Sequence, residues 1–386
     1  MIKRRKILAI TGIRSDYDLM SNLFIKLSND PNIDFGLIVT GAHLEKKYGY
    51  SYKEIKKDKI KIIGKVKSYI HGNGLSPRAL SLFKQGYKMV NIVKKFNPDT
   101  VLVMGDREES IVISLIATYL NIPIAHISGG DKVVGNIDDH IRHAVSKLAH
   151  IHFPTSLDSK IRLIKMGENK KNIFNFGNPG LDRLKNEKKI TLNDLSKKIQ
   201  FNLSKNEKYF VCIQHSLSSE FKKSYDQMYL TLNCLKKMKI KTIIIYPNSD
   251  AGSSGIISAI SRFKNVKYFC IKKNLPRNIF VNLLRNARCL IGNSSAGILE
   301  TPFLGLPSIN VGNRQLKRNH ANNTIFIPSD KKILIKTISM INNDRFYKKI
   351  AKKSNIFGLG NSSNKIIKVL KSIKINKKLF NKEIIY

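Results

Sequence analysis

Short runs of β-branched and aliphatic residues alternate with longer stretches of helical period along most of the chain. Glycine, asparagine or proline bounds most of the short runs. This alternation is typical of βα units that build parallel sheets. The predicted strands of the first half are 6–11, 33–40, 100–104, 124–127, 150–153 and 173–176. Those of the second half are 209–214, 242–247, 266–270, 289–291, 308–311 and 324–327.

The two halves repeat one arrangement of elements. Residues 101–130 and residues 289–312 each read as strand, glycine-polar turn, helix, proline, strand and glycine. Two doubly wound α/β domains are the economical explanation, and such folds bind ligands at the carboxyl ends of their strands. A Lys- and Asn-rich stretch at 184–203 indicates a boundary. We therefore expect domains at 1–185 and 186–365, followed by a Lys-rich terminal helix and solvated tail at 366–386.

The chain is strongly basic, with 69 Lys and Arg against 27 Asp and Glu and a net charge of +42 over 386 residues. Such a balance raises the question of a nucleic-acid or membrane partner. The basic residues are 54 Lys and only 15 Arg, whereas base and phosphate readout favours the planar fork of Arg. They are spread evenly, and only residues 101–150 are net acidic, at −2. We therefore expect no nucleic-acid partner.

Four cysteines without a CxxC pair predict a reduced, cytoplasmic protein with buried thiols and no zinc site. The basic start followed by apolar residues 7–10 imitates a signal peptide, but polar Arg14, Asp16 and Asp18 follow at once. No apolar stretch approaches the roughly 18 residues that cross a bilayer. The sequence therefore predicts no membrane partner, and we expect no metal and no cofactor.

The clearest candidate anion site is the sequence Gly-Asn-Ser-Ser-Ala-Gly at 292–297, between a predicted strand and a helix. Small residues let backbone N–H groups approach an anion here, and Ser294 and Ser295 add hydroxyl donors before Gly297. An ordinary serine N-cap is the simpler explanation of the same residues. Glu300 follows on the helix, where a carboxylate would accept hydrogen bonds from ribose hydroxyls; a surface helix residue is the simpler explanation.

A second polar turn, at 247–255, follows a strand of the same half and contains Asp250. Turn residues of this kind are common, so the turn alone is a weak signal. His215 directly follows the predicted strand 209–214. In a parallel sheet, the end of this strand lies near both polar turns, so His215 is expected near them. A single histidine is more often structural than catalytic, and both interpretations stay open.

The acidic window holds the best catalytic candidates. Asp106 and Arg107 stand at the end of a strand, and Asp131 follows a Ser-Gly-Gly turn. Asp138 and Arg142 are four residues apart, so they share one face of a helix. Carboxylates gathered at a strand-end crevice shift one another's pKa, which suits acid/base chemistry. Negative charge at a helix N-terminus is the structural alternative for Asp138.

Read in order, these segments resemble the UDP-N-acetylglucosamine 2-epimerase family, specifically the hydrolysing branch that makes N-acetylmannosamine for sialic- or legionaminic-acid-type sugars. The resemblance covers residues 5 to about 320. Its pieces are TGIRSDY at 11–17, VTGAHL at 39–44, GDR at 105–107, HISGGD at 126–131, IDDHIRH at 137–143, DAGS at 250–253, GNSS at 292–295 and GNRQ at 312–315.

The resemblance implies the GT-B architecture, two Rossmann-like domains with a nucleotide sugar in the cleft between them. It implies elimination of UDP with loss of the C2 proton, then hydration of a 2-acetamidoglucal, in a homodimer or homotetramer. It places Asp106 and Asp138 on acid/base positions, Arg14, His215, Ser294, Ser295 and Arg314 on positions that hold the diphosphate, and Glu300 on the ribose-binding position. Taken with the residue patterns above, the expected catalytic set is Asp106, Asp131, Asp138, Arg142 and His215. The expected substrate-binding set is Arg14, Arg107, Asp250, Ser294, Ser295, Gly297, Glu300 and Arg314.

The chain departs from the family pattern at Ser128, where many relatives carry a glutamate proposed as a catalytic acid. Serine does not transfer protons at neutral pH, so either Asp131 substitutes for the glutamate or the acid/base scheme differs. Asp18 and Leu19 also differ from some members. Relatives use UDP-2,4-diacetamido sugars and GDP-N-acetylglucosamine, so these changes leave both the sugar and the nucleotide open.

Three alternatives remain beside the hydrolysing epimerase. A non-hydrolysing epimerase would re-equilibrate the nucleotide sugar without releasing UDP. A GT-B glycosyltransferase would share the phosphate-binding turns but would need no carboxylate at the C2 proton. A basic nucleic-acid-binding protein would bind with a steep salt dependence, although no aromatic-interleaved basic stripe supports it.

Overall fold

The computed structural model describes residues 4–46, 49–70, 76–133, 137–204, 207–248 and 252–385. The chain divides into two compact units. The first comprises Met1–Lys132, Ile137–Lys185 and Phe357–Tyr386, and the second comprises Val133–Asn136 and Asn186–Ile356.

The first unit is built on a six-stranded parallel sheet with the order β3-β2-β1-β4-β5-β6. The chain runs outward from β1 to β3, then crosses to β4 and continues in the other direction. The order therefore reverses between β1 and β4, and ligands of doubly wound sheets bind outside the strand ends at such a point. The strands are β1 (Arg5–Thr11), β2 (Ile33–Thr40), β3 (Ile62–Val66), β4 (Thr100–Met104), β5 (Ile124–Ile127) and β6 (Ile151–Phe153).

Helices cover both faces of this sheet, so its strands are apolar on both sides. Successive side chains of β1 alternate between two cores, with Ile7 and Ala9 in one and Leu8 and Ile10 in the other. The helices of this part are α1 (Arg14–Asn29), α2 (Tyr52–Lys57), α3 (Ser76–Phe96), α4 (Glu108–Tyr119), α5 (Ile137–Leu148), α6 (Leu157–Lys165) and α7 (Gly180–Asn186).

The second unit repeats the same topology with the order β12-β11-β10-β7-β8-β9. Its reversal point lies between β7 and β10. The strands are β7 (Phe210–Ile213), β8 (Thr242–Ile245), β9 (Phe269–Lys272), β10 (Cys289–Gly292), β11 (Ser308–Val311) and β12 (Thr324–Ile327). The helices are α8 (Leu192–Ile199), α9 (Ser224–Lys237), α10 (Ser253–Ser261), α11 (Arg277–Asn286), α12 (Ala296–Leu299), α13 (Thr301–Leu304), α14 (Lys331–Asn342) and α15 (Asp344–Ile350). The prediction of two doubly wound Rossmann-like domains is confirmed.

Three sequence expectations differ from the structure. The predicted strand at 173–176 is reduced to one bridge, between His152 and Ile173. Strand β3 was not predicted, because it is a short edge strand in which Gly64 and Lys65 interrupt the run of apolar residues. The expected boundary stretch contains α8, whose Leu195 and Ile199 are fully buried.

The C-terminal segment belongs to the first unit rather than forming a continuation of the second and a solvated tail. It contains α16 (Ser362–Ser372) and α17 (Lys377–Phe380), and Ile366 and Leu370 lie in the same core as α1. Lys382 donates to the carbonyls of Ser146, Lys147 and Ala149 at 3.1, 2.6 and 2.7 Å. A cation at this position caps the C-terminal end of α5.

None of the helices among the described residues combines the length and the apolar character needed to cross a bilayer.

Candidate active site

The reversal point of the first sheet is formed by the chain leaving β1 and the chain leaving β4. Glu109, in the first turn of α4, is 4% exposed and directs its carboxyl at Gly12, just after β1. A Cβ on Gly12 would collide with that carboxyl, so glycine is needed for this close approach. Gly41, after β2, borders the same carboxyl and has a positive φ of 55°. A buried acidic group therefore lies at the point where this fold places ligands.

Asp106 follows β4 directly and forms an ion pair with Arg142 of α5. Arg142 is almost fully buried, whereas Asp106 is partly exposed. The turn that carries Asp106 is supported by His126, whose Nε2 donates to the Gly105 carbonyl at 2.8 Å. Burial lowers the pKa of His126 to about 3, so its ring is neutral and structural. The structure thus joins two residues of the expected catalytic set, although the sequence paired Arg142 with Asp138 rather than with Asp106.

Asp16 is a site residue that sequence reasoning did not select. It lies in the first turn of α1, next to the end of β1. The pKa of Asp16 is raised to about 7, chiefly by burial; the charge of Arg107 opposes the rise, and those of Glu109, Glu108 and Asp138 contribute to it. Asp138, in the first turn of α5, is partly buried and acts electrostatically on this group. A carboxyl that titrates near neutral pH is suited to acid/base work.

Asp131 is placed differently from the expectation that it replaces the family glutamate. It is 5% exposed, and its Oδ1 accepts hydrogen bonds from Ser159 at 2.5 Å and Thr155 at 3.1 Å. These hydroxyls belong to the turn that begins α6, so the carboxylate organises that turn. Ser128 is also buried, with a left-handed φ of 62°. We therefore assign Asp131 a structural role.

The two arginines expected to bind substrate in the first unit both have acidic neighbours. Arg107 lies 3.6 Å from Glu108 and 3.6 Å from Glu109. Arg14, on α1, lies 3.5 Å from Asp18. Both arginines stand beside strand ends of the reversal point, so their positions are compatible with binding an anionic substrate.

At the reversal point of the second unit, Asn293 ties the turn after β10 to the turn after β7. It accepts from His215 N at 2.7 Å and donates to the His215 carbonyl at 2.9 Å. Asn248 N donates to His215 Nδ1 at 3.0 Å, which fixes the proton of a neutral ring on Nε2. Gly292 has φ 127°, and a Cβ there would collide with the Ile213 carbonyl. The sequence predicted His215 here but not the bridging asparagine.

Ser294 and Ser295 are partly exposed at the start of α12, and Arg314 lies beside them. The Arg314 guanidinium donates to the Asn293 carbonyl at 3.3 Å, so the loop after β11 folds onto the serine turn. Gly297 is buried, and its N–H donates to the Ser294 carbonyl at 3.0 Å. The two serines and the arginine are therefore brought together, whereas Gly297 contributes to the internal bonding of the turn. Asp250 lies outside the described residues.

Glu300 is buried rather than a surface helix residue. Arg277, the first residue of α11, binds its carboxylate through two bonds, of 2.7 and 3.3 Å. Such a bidentate pair fixes the carboxylate in position and leaves lone pairs on its oxygens for hydroxyl donors. No sequence signal identified Arg277, because it is 23 residues from Glu300 and lies outside any motif.

Among the described residues, no group of three His, Cys, Asp or Glu side chains is arranged to hold a metal ion. Each unit is a doubly wound domain with anion-compatible or acidic groups at its reversal point. These features define a protein class that binds nucleotides or nucleotide-linked substrates at strand ends. The family model for UDP-N-acetylglucosamine 2-epimerase matches residues 25–371. The chain belongs to this family.

Relatives and solved structures agree with that assignment. The chain is 33% identical over 378 residues to UDP-N,N'-diacetylbacillosamine 2-epimerase (hydrolyzing) of Legionella pneumophila, covering 98% of both chains. It is 30% identical to GDP/UDP-N,N'-diacetylbacillosamine 2-epimerase (hydrolyzing) of Campylobacter jejuni, covering 84% of both. The fold is similar to the crystal structure of UDP-GlcNAc 2-epimerase from Neisseria meningitidis bound to UDP-GlcNAc, with a TM-score of 0.80, 21% identity and coverage of 95% and 99%.

Proposed function

We propose that this protein is a hydrolysing 2-epimerase that converts a UDP-linked 2-acetamido sugar into the free 2-epimeric sugar and UDP. The observation that carries the proposal is the Asp106–Arg142 pair at the reversal point of the first unit, with Asp138 one turn before Arg142 on α5. Family membership and the hydrolysing activity named for both relatives above support it.

The proposed chemistry begins with elimination. Asp138 removes the C2 proton, the C2–H electron pair forms the C1–C2 double bond, and the C1–O bond breaks toward the diphosphate. His215 Nε2–H, the serine turn and Arg314 stabilise the negative charge that develops on the diphosphate. Glu300, held by Arg277, accepts hydrogen bonds from the ribose hydroxyls.

Hydration of the resulting 2-acetamidoglucal completes the reaction. The Asp106 carboxylate, positioned by Arg142, orients the water and accepts its surplus proton as the oxygen bonds to C1. Release of UDP separates this reaction from that of a non-hydrolysing epimerase.

UDP-N,N'-diacetylbacillosamine is the preferred sugar in this proposal, with UDP-N-acetylglucosamine as the alternative. The support is the name of the Legionella relative, which matches the chain over 98% of its length. The free product would be a precursor of a sialic- or legionaminic-acid-type sugar. We place the reaction in the cytoplasm, because the four cysteines are free thiols and all are buried.

We also propose that the protein is a homo-oligomer in which α3 and α4 face a second copy. Phe83 and Tyr87 on α3 are 74% and 86% exposed, and Tyr119 on α4 is 87% exposed. A Cβ on Gly86 would lie 3.3 Å from Val112, so the two helices pack closely, and each presents exposed aromatic side chains. At about 200 Å² each, these rings expose roughly 500 Å². That area is most of the roughly 800 Å² per partner in a standard interface.

Conversion of Asp106 or Asp138 to Asn tests the assignment of the carboxylates. Each variant should lose at least about 100-fold in turnover while its UDP affinity stays within about threefold of the wild type, since neither residue is assigned to the nucleotide. Calorimetric titration with UDP and an NMR assay of the free sugar measure the two quantities. Full activity in either variant would remove that residue from the catalytic set.

A further inference from the structure

Epimerisation at C2 requires two proton carriers, and this inference rests on the proposed function. The proton leaves C2 from one face of the sugar, and the proton that restores the carbon arrives at the other face. Asp138 serves one face in the proposed reaction. Ser128 has no carboxyl, and Asp131 is buried with its Oδ1 accepting hydrogen bonds from Ser159 and Thr155 in the turn that begins α6. A further acid is therefore needed.

The carboxyls of Asp16 and Glu109 line one narrow cavity at the reversal point of the first sheet, together with Gly12, Met20 and Met104. Asp16 lies in the first turn of α1, which follows β1, and Glu109 lies in the first turn of α4, which follows β4. Asp16 is the partly exposed member of the pair, whereas Glu109 is buried. Asp16 is therefore the member that a substrate at the strand ends can reach.

Burial and the neighbouring carboxylates keep Asp16 protonated over a wider pH range than an ordinary aspartate. Burial is the largest cause of its raised pKa of about 7. Glu108 and Glu109 at the start of α4 and Asp138 at the start of α5 add to it, whereas Arg107 opposes them. An acid with a pKa near the working pH supplies both the proton and the driving force for its transfer.

We propose that Asp16 is the second proton carrier and donates its proton to C2 of the 2-acetamidoglucal. As the proton reaches C2, the water oxygen bonds to C1 and its surplus proton passes to Asp106. Asp138 still holds the proton removed in the first step. Of the protons on Asp138 and Asp106, one returns to Asp16 and the other leaves with UDP, so every carboxyl regains its starting state. Glu109 acts as a positioning residue beneath Asp16.

The variant Asp16→Asn separates the two half-reactions. Incubated with UDP-N,N'-diacetylbacillosamine or UDP-N-acetylglucosamine, it should release UDP in the first turnover and accumulate the 2-acetamidoglucal, visible as a vinylic proton by NMR. Formation of the epimeric sugar should fall by about 10²–10⁴-fold, the usual contribution of a general acid. Asp158→Asn, at a surface carboxylate of α6, is the matched control and should keep wild-type turnover.

Wild-type sugar formation by Asp16→Asn would overturn the proposal. Loss of UDP release in a variant that still binds UDP would also overturn it, because Asp16 would then serve the elimination step. Failure of the proposed function is distinguishable, since the wild type itself would then release no UDP from either sugar.

If Asp16→Asn does not fold, Asp16→Glu and Glu109→Gln provide the test. The rate of wild-type sugar formation should fall as pH rises through about 7, where Asp16 loses its proton. Glu109→Gln should move this alkaline limb to lower pH by removing a neighbouring negative charge, and Asp16→Glu should also displace it. If the rate of sugar formation falls at the same pH in both variants as in the wild type, the role of Asp16 is refuted.

Discussion

Asp16→Asn should stabilise the protein at alkaline pH while it removes activity. The pKa of the Asp16 carboxyl is 3.8 for an ordinary aspartate and about 7 in the folded chain. The folded state therefore binds this proton more tightly than the unfolded state. The extra stability is fully present below about pH 4 and is lost as pH rises through 7.

The size of the effect follows from the same values. A difference of one in pKa corresponds to about 1.4 kcal/mol, so ionising Asp16 costs the folded state up to about 4 kcal/mol. Because the side chain is partly exposed, we expect about half of this, near 2 kcal/mol. The asparagine variant does not titrate here. The free energy of unfolding of Asp16→Asn, relative to that of the wild type, should therefore increase by about 1–2 kcal/mol between pH 5 and pH 8.

Urea unfolding of both proteins at pH 5, 6.5 and 8, followed by circular dichroism, measures this difference. Asp158→Asn provides the control, since exposed ion pairs contribute about 0–1 kcal/mol and its effect should change little with pH. A stability difference between Asp16→Asn and the wild type that is constant across this pH range would refute the raised pKa and the reasoning built on it.

Three further predictions concern the support of the two sites. Lys382→Met should cost the first unit about 2–4 kcal/mol in urea unfolding, because it leaves the Glu168 carboxylate and three carbonyls without this cation. Gly292→Ala should weaken UDP binding at least about tenfold in calorimetry, because its Cβ meets backbone and the turn must move. Arg277→Met should lower the free energy of unfolding by about 3–5 kcal/mol in urea, because Glu300 stays buried without its cation. Adding Glu300→Gln to Arg277→Met should recover part of that loss.

Each of these has a matched comparison. Lys374→Met changes an exposed lysine and should cost less than about 0.5 kcal/mol, so equal losses at both lysines would contradict the capping role. Gly312→Ala also has a positive φ, of 80°, but its Cβ meets nothing within 4 Å. Equal effects at the two glycines would show that backbone collision is not the cause. Additive losses in the Arg277 and Glu300 variants would contradict a coupled pair.

The sequence allowed the architecture to be predicted because apolar runs with a βα period have few other solutions. Asp106 and Arg142 could be selected because one follows a strand directly and the other shares a helix face with Asp138, and their catalytic roles stay predictions. Pairing between distant segments was beyond reach: nothing in the sequence indicates that Arg277 meets Glu300. The hydroxyl partners of Asp131 could not be predicted either, because they lie 24 and 28 residues further along the chain. The raised pKa of Asp16 depends on burial that only the folded chain creates.

The central claim is that this protein releases UDP and inverts C2 of its sugar. The most direct measurement is ¹H and ³¹P NMR of the purified protein in D₂O with UDP-N,N'-diacetylbacillosamine, UDP-N-acetylglucosamine and GDP-N-acetylglucosamine in separate tubes. Free UDP together with a 2-epimeric sugar that carries deuterium at C2 is the predicted result. Re-equilibration of the intact nucleotide sugar without free UDP, or no turnover of any of the three, would contradict the account.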